Sequence, residues 1–172
     1  MKTNRFCRWE LIAVIGLLVV AGGGSHAAQQ LNEVSLRETL EGTWVLEEWH
    51  FDGEVLRPPV IGGRWTLHDG VVMANFHRNS GGSYESFSAY GRYEIDGDKW
   101  SYGYERVQTT YGRNPDDATV SVQRGLQMQS FSIRVDEGML ILERPNDRRE
   151  YEGRSFRFMP DGSLLRHYRK VE

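Results

Sequence analysis

Short runs of alternating apolar and polar residues, joined by tight turns, occupy the chain from residue 43 onward and restrict its fold more than any other feature. Asp69-Gly70 separates the runs Arg64 to His68 and Val71 to His77, and this dipeptide is typical of a two-residue β-hairpin turn. The turn predicts that Arg64 faces Asn75. One face of the hairpin is then apolar and is predicted to lie in the core: Trp65, Leu67, Val72, Ala74 and Phe76.

Further turn signals divide the rest of the chain into eight to ten strands. Nearly every connection between them is short enough for a local hairpin, and no stretch resembles a strand–helix–strand crossover. This pattern favours an antiparallel up-and-down β-barrel over a Greek-key sandwich. One short helix is predicted before the strands, over residues 35–41, because Ser35 and Glu38 fit a capping box.

The N-terminal segment is typical of an export signal. Basic residues precede an apolar run from Leu11 to Ala21, and Ser25-His26-Ala27 fits a cleavage site with small residues. The apolar run is shorter than the roughly 20 residues that span a bilayer, so a retained anchor is the weaker interpretation. We predict a signal peptide over 1–27, a polar lead over 28–34 and a barrel domain over 35–172.

Charge and cysteine content exclude several function classes. Residues 1–27 carry three basic residues and one acidic residue, so their removal takes the net charge from −3 to −5. This balance argues against nucleic-acid binding, which needs a basic face. The only cysteine, Cys7, lies in the predicted signal peptide, so the mature domain has neither a disulfide nor a thiol nucleophile. We expect a periplasmic or secreted protein, of bacterial type, that depends on its core for stability.

Four segments, in this order, resemble the bacterial lipocalin-like domain family, whose members are calycin-type β-barrels. Together they span most of residues 36–170. The resemblance implies a barrel with a small cavity for an apolar ligand, and it implies no particular reaction or catalytic set. The segments are Leu40-Glu41-Gly42-Thr43-Trp44, the hairpin around Asp69-Gly70 with Met73 after it, Ser88 to Asp98, and Asp161-Gly162-Ser163-Leu164-Leu165-Arg166.

The same resemblance implies how one end of the barrel is closed. Trp44, which follows Gly42 in the first strand, is expected to pack at the closed end beneath a basic side chain from a late strand. Arg166 is the first choice for that side chain and Arg157 the second. An arginine over an indole ring contributes about 1 kcal/mol.

The strand over residues 99–108 supplies the candidate ligand-binding residues. Its aromatic side chains share one parity, and we interpret that face as the interior, with rings for an apolar body and polar tips for an oxygen or carboxylate. The alternative is that these rings only fill the core. The predicted lining, including one residue at the mouth, is Trp49, Trp100, Tyr102, Tyr104 and Arg106.

Two pairs of titratable residues are weak candidates for acid–base chemistry. Glu48 and His50 share parity with Trp44 and could meet at the mouth, although a solvent-exposed histidine at a strand end is the simpler interpretation. Arg92 and Glu94 would form a site only if they faced inward, and the outward orientation is favoured because the other face is more apolar. No metal-binding spacing of His, Cys or acidic residues is present, and no cofactor is predicted.

The sequence therefore predicts an exported lipocalin-like protein that binds a small apolar or amphipathic molecule in its barrel. One alternative is an enzyme of isomerase or cyclase type that uses the same cavity for an apolar substrate. Another is a protein-interaction module whose surface is the barrel rim and the loop Tyr111 to Asp117. No nucleic-acid partner and no stable membrane span after signal cleavage are expected.

Overall fold

The computed structural model describes residues 33–171 and shows a closed antiparallel β-barrel of ten strands preceded by one short α-helix. The predicted fold class is therefore confirmed. The predicted signal peptide and residues 28–32 of the predicted lead lie outside the described residues. The elements are α1 (Glu33–Leu40), β1 (Gly42–Phe51), β2 (Glu54–Leu56), β3 (Ile61–His68), β4 (Val71–Ser80), β5 (Ser83–Asp96), β6 (Lys99–Gly112), β7 (Thr119–Arg124), β8 (Gln129–Asp136), β9 (Met139–Arg144), β10 (Asp147–Glu152), β11 (Ser155–Pro160) and β12 (Arg166–Lys170).

The ring of the barrel runs β1, β3, β4, β5, β6, β8, β9, β10, β11, β12 and returns to β1. Two short strands lie off the ring. β2 pairs with the end of β1, and β7 pairs with the second half of β6, while β8 pairs only with the first four residues of β6. Within residues 33–171, no helix has both the length and the apolar character needed to cross a bilayer.

The hairpin of β3 and β4 has the register that its turn predicts. Arg64 pairs with Asn75 and Thr66 pairs with Met73. Asp69 and Gly70 both have positive φ, at 46° and 76°, which the right-handed twist of a two-residue hairpin requires. The predicted core face is confirmed, since four of its residues are buried and Phe76 packs against them.

Two β-bulges change which side chains face the barrel interior. In β1 the register shifts between Leu46 and Glu48, and in β6 Tyr90 pairs with Arg106 while Gly91 pairs with Tyr104. Each bulge inserts one residue, so the alternation of inward and outward side chains reverses beyond it. Simple parity counted from the start of either strand is therefore wrong for its second half.

Helix α1 closes one end of the barrel. The indole Nε1 of Trp44 donates to the carbonyl oxygen of Leu40 at 3.0 Å, and both side chains are fully buried. The ammonium group of Lys170 donates to the carbonyl oxygens of Glu38 (2.8 Å) and Thr39 (3.3 Å) in the last turn of the helix. These carbonyls lack partners within the helix and carry its negative dipole end, so a cation stabilises them.

The basic residue over Trp44 is Lys170, whose Nζ lies 5.2 Å from the ring centroid, and the expectation of Arg166 in that place is wrong. The antiparallel register of β1 and β12 pairs Trp44 with Lys170 and Trp49 with Arg166. Arg166 therefore lies near the other end of β1. The second choice, Arg157, also lies elsewhere, because it forms ion pairs with Glu150 and Glu152.

A second set of contacts ties the helix to β5. The Tyr93 hydroxyl donates to the carboxylate of Glu41, and Arg37 donates to the same carboxylate at 3.0 Å. Burial, followed by the hydrogen bond to Glu41, raises the pKa of Tyr93 to about 12. The neutral phenol therefore persists well into the alkaline range and keeps donating to Glu41.

We expect Lys170→Met to lower the free energy of unfolding by about 1–2 kcal/mol, because it removes the two hydrogen bonds to the helix and the contact with Trp44. Urea denaturation of both proteins measures the difference. Lys99→Met is the matched control, since Lys99 is exposed at the start of β6 and forms no ion pair among the described residues. Equal losses in the two variants would contradict the assignment of Lys170 to helix anchoring.

Candidate functional site

A cavity of about 170 Å³ lies inside the barrel. Its lining reaches Arg166 and Phe76, which adjoin Trp49 near the end of β1 opposite to Trp44. Half of its lining is buried, namely Trp65, Tyr102, Arg149, Phe156 and Tyr168. The other half is partly exposed and forms the mouth: Phe76, Phe87, Tyr104, Phe158 and Arg166.

The aromatic residues predicted in β6 all face the interior. Tyr102 and Tyr104 line the cavity. Trp100 is fully buried behind them, with its ring 4.9 Å from that of Tyr102 in a stacked arrangement. Burial raises the pKa of Tyr104 well above its ordinary value, so the phenol remains a neutral hydrogen-bonding group. Trp49 is buried and makes an edge contact with Phe76 at the mouth.

Arg106 does not line the cavity, and its predicted inward orientation is wrong. Glu105 is the extra residue of the bulge in β6, so Arg106 points to the outer wall, where it is exposed. The alternation of inward and outward side chains that starts at Trp100 continues only as far as Tyr104, where the bulge interrupts it. The sequence predicted that Arg106 would provide a positive charge in the cavity. Two other arginines, Arg149 and Arg166, provide it instead.

The first of these, Arg149 of β10, is the buried cation of the barrel interior, with 3% of its surface exposed. Its guanidinium donates to the hydroxyl of Tyr102 at 2.8 Å and to the carboxylate of Asp147 at 3.2 Å. Aromatic rings surround it, and their centroids lie 4.6–5.5 Å from its central carbon: Phe131, Tyr102, Trp65, Phe158 and Trp100.

The charge of Arg149 is stable in this environment. Burial by itself lowers the pKa of its guanidinium, but Tyr102 and Asp147 outweigh that effect and raise the pKa above its ordinary value. The desolvation cost of a buried charge is offset only when the charge has an oppositely charged partner and hydrogen bonds. Arg149 is therefore neutralised locally and acts as a structural centre on the cavity floor.

The second arginine, Arg166 of β12, differs in having no carboxylate within 4.0 Å among residues 33–171. Its guanidinium lies 4.0 Å from the ring centroids of both Trp49 and Phe76. Its Nε is buried and has no hydrogen-bond partner in the described part of the chain. Arg166 therefore presents an uncompensated positive charge at the cavity mouth, held between two aromatic faces.

Hydrogen-bond donors without partners surround the cavity. The indole nitrogens of Trp49 and Trp65 are buried and unpartnered among the described residues, as is the Nε of Arg166. Indole and guanidinium groups can only donate. No carboxylate and no histidine occurs among the described residues that line the cavity. The site is consequently rich in donors and poor in acceptors, which suits a guest that carries several acceptor oxygens.

The weak acid–base candidates lie outside the cavity. Glu48 and His50 do meet, with 3.3 Å between Oε2 and Nε2, but the bulge at Glu47 places them on the outer wall. A hydrogen bond from Arg57 to Glu48 is the main cause of a lowered pKa at that carboxyl. The expectation that they look into the barrel is wrong.

The other candidate pair also lies on the outer wall. Arg92 and Glu94 are exposed, and Arg92 forms its ion pair with Glu105 at 2.6 Å. Their favoured outward orientation is therefore what the structure shows. Among residues 33–171, no group of three or more His, Cys, Asp or Glu side chains is arranged to hold a metal ion.

Comparison of the chain with models of known protein families, with curated proteins and with solved structures gave no match.

We expect Arg149→Met to lower the free energy of unfolding by about 3 kcal/mol, because the buried Asp147 then loses its buried partner and keeps only the more exposed Arg144, at 3.4 Å. Urea denaturation measures this loss. The double variant Arg149→Met, Asp147→Asn removes both charges and is expected to recover a large part of it. A double variant whose loss equals the sum of the two single losses would contradict the coupling.

Proposed function

We propose that this protein is an exported lipocalin-like barrel that binds a small amphipathic molecule carrying a carboxylate. The main support is Arg166 at the mouth of an aromatic cavity, which hydrogen-bonds Tyr168 but has no carboxylate partner among the described residues and has a buried Nε without a partner. The ten-stranded closed barrel and the four sequence segments described above support membership of the calycin type.

A carboxylate is the group that best complements this mouth. Arginine binds carboxylates through two parallel hydrogen bonds, and such charge-assisted bonds are stronger than neutral ones. The guest's oxygens would also accept from the indole nitrogen of Trp65, which lines the cavity and has no partner among the described residues. A neutral hydroxyl would satisfy fewer of these donors and would leave the charge of Arg166 uncompensated.

The dimensions of the cavity limit the apolar part of the guest. A cavity of about 150 Å³ holds one benzene molecule, and the cavity here measures about 170 Å³. The proposed ligand therefore has a single ring or a short alkyl chain, which contacts Trp65 and Phe156 on the floor. Larger lipids and multi-ring compounds would have to remain largely outside the mouth.

The enzyme alternative receives less support from the same geometry. An isomerase or cyclase needs a base and an acid at the substrate. Neither Glu48 with His50 nor Arg92 with Glu94 reaches the cavity. The interaction-module alternative rests on Tyr111, which is 56% exposed, and on the loop after it. We therefore place ligand binding first.

Isothermal titration calorimetry with matched pairs of probes tests the proposal. We expect benzoate and hexanoate to bind in the barrel about 10-fold to 100-fold more tightly than benzyl alcohol and hexanol, because a hydrogen bond to a charged group contributes more than a neutral one. Tryptophan fluorescence should report the same event through Trp49 and Trp65.

Two substitutions distinguish the role of Arg166 from a general loss of charge. Arg166→Gln is expected to abolish the preference for the acid over the alcohol, and Arg166→Lys to keep part of it. Arg169→Gln is the matched control, since Arg169 lies on the same strand but is exposed on the outer wall. Equal affinity for acid and alcohol in the unmodified protein, or no saturable binding of any probe, would refute the proposal.

A further inference from the structure

A groove of about 400 Å³ crosses the outer wall of the barrel over β3, β4, β5 and β6, separate from the interior cavity. Direct cross-strand neighbours build it as two parallel rows. The first row is Arg64, Asn75, Ser88 and Gln108. The second row is Thr66, Met73, Tyr90 and Arg106, and it continues onto β7 with Arg124.

The arginines of this wall are unusual in lacking partners. Most arginines in residues 33–171 form ion pairs, and Arg154 donates to backbone carbonyls. On the outer surface of the described chain, the side chains of Arg64, Arg106 and Arg124 have neither a carboxylate within 4.0 Å nor a hydrogen-bond acceptor. Arg106 and Arg124 are also directly opposed across β6 and β7, an arrangement of like charges that costs stability.

This basic wall stands out because the protein as a whole is acidic, with a net charge of −3. No Asp or Glu is among the described residues that line the groove. The nearest acidic side chain along β6, Glu105, is engaged with Arg92 at 2.6 Å. The positive charge of the groove is therefore available to an anionic partner.

Neutral polar side chains lie between the arginines. Asn75 accepts from the backbone N–H of Arg64 through its Oδ1, at 3.2 Å, which leaves its amide N–H groups for the groove. Ser88 and Gln108 continue the same row. Beside them, Tyr90 and Met73 are 49% and 48% exposed and offer a flat apolar surface.

We propose that this groove binds an acidic oligosaccharide, such as a chain of uronic acids. Arg64 lies three strands from Arg106, about 14 Å at the usual strand spacing, so one small anion cannot engage both ends. An extended molecule with repeated carboxylates can. Its hydroxyl groups match the amide and hydroxyl side chains between the arginines, and its ring faces match Tyr90.

Strand pairing argues against an acidic peptide as the occupant. Extended peptides commonly bind by adding a strand to a free sheet edge. Under the groove, β3, β4 and β5 are paired on both sides, and β6 pairs with β5 on one side and with β8 and β7 on the other. Among the described strands β7 pairs only with β6, so its outer edge is free, but that edge lies beyond Arg124 and four strands from Arg64. Recognition here has to come from side chains, which favours a guest rich in hydroxyls and carboxylates.

Titration calorimetry at low and physiological salt tests the proposal, with a galacturonic acid hexamer as the probe, maltohexaose as the neutral counterpart and hexaglutamate as the peptide counterpart. We expect saturable binding of the uronic acid probe that weakens as salt rises. Tighter binding of hexaglutamate, equal binding of maltohexaose, or no binding of the uronic acid hexamer would overturn the proposal.

Matched triple variants separate the groove from general electrostatics. Arg64→Gln, Arg106→Gln and Arg124→Gln together should weaken binding of the uronic acid hexamer at least about tenfold, since each charge-assisted contact is lost. Arg57→Gln, Arg113→Gln and Arg134→Gln together remove the same charge from exposed positions elsewhere and should change it less than about twofold. Equal losses would overturn the proposal. Arg166→Gln should leave this binding unchanged, which keeps the groove distinct from the cavity.

Discussion

One buried positive charge organises the interior of this barrel. Arg149 comes from β10, and the rings around it come from β3, β6, β8 and β11, so five strands converge on a single guanidinium. Aromatic faces alone would not offset the cost of removing this charge from water. Asp147 and Tyr102 do so, and their positions thereby determine where the floor of the cavity lies. The contacts of Arg149 with Asp147 and Tyr102 therefore influence both the packing of the surrounding aromatic rings and the position of the cavity.

The two interior arginines have the same chemistry and different surroundings. Arg149 has a carboxylate at 3.2 Å and is almost fully buried, so its charge is balanced by a partner inside the protein. Arg166 has aromatic faces and a hydrogen bond to the Tyr168 hydroxyl but no carboxylate, and part of its surface is exposed. If both arginines served only packing, a carboxylate partner for Arg166 would make the protein more stable. The contrast is the physical basis for the proposal that the second arginine, and not the first, meets a ligand.

Local patterns predicted the parts of the structure that depend on alternation. The register of β3 and β4 follows from turn chemistry, and the inward rings of Tyr102 and Tyr104 follow from period-two patterning. The packing of Trp44 at the closed end was implied by the family resemblance. The short helix was predicted from a capping box at Ser35, which lies inside α1 because the helix begins at Glu33. Arg106, Glu48 and His50 were misplaced because a bulge carries no local sequence signal and reverses the parity after it. Arg149 was missed because Asp147 to Glu152 reads as a charged surface strand, although Arg149 shares parity with the buried Tyr151. Its burial depends on rings from distant strands.

The closure of the ring between β1 and β12 has a consequence for how the chain folds. The other neighbouring pairs in the ring join strands that are much closer in sequence, even where β7 intervenes and Trp100 pairs with Phe131, whereas this one brings Trp44 against Lys170. The hairpins can therefore form early with little loss of chain entropy, and the single long-range pairing has to follow the synthesis of nearly the whole domain. Until then, Trp44 lacks its partner residues on β12. The pairing of β1 with β12, which closes the barrel, is thus also the last step in forming the native topology.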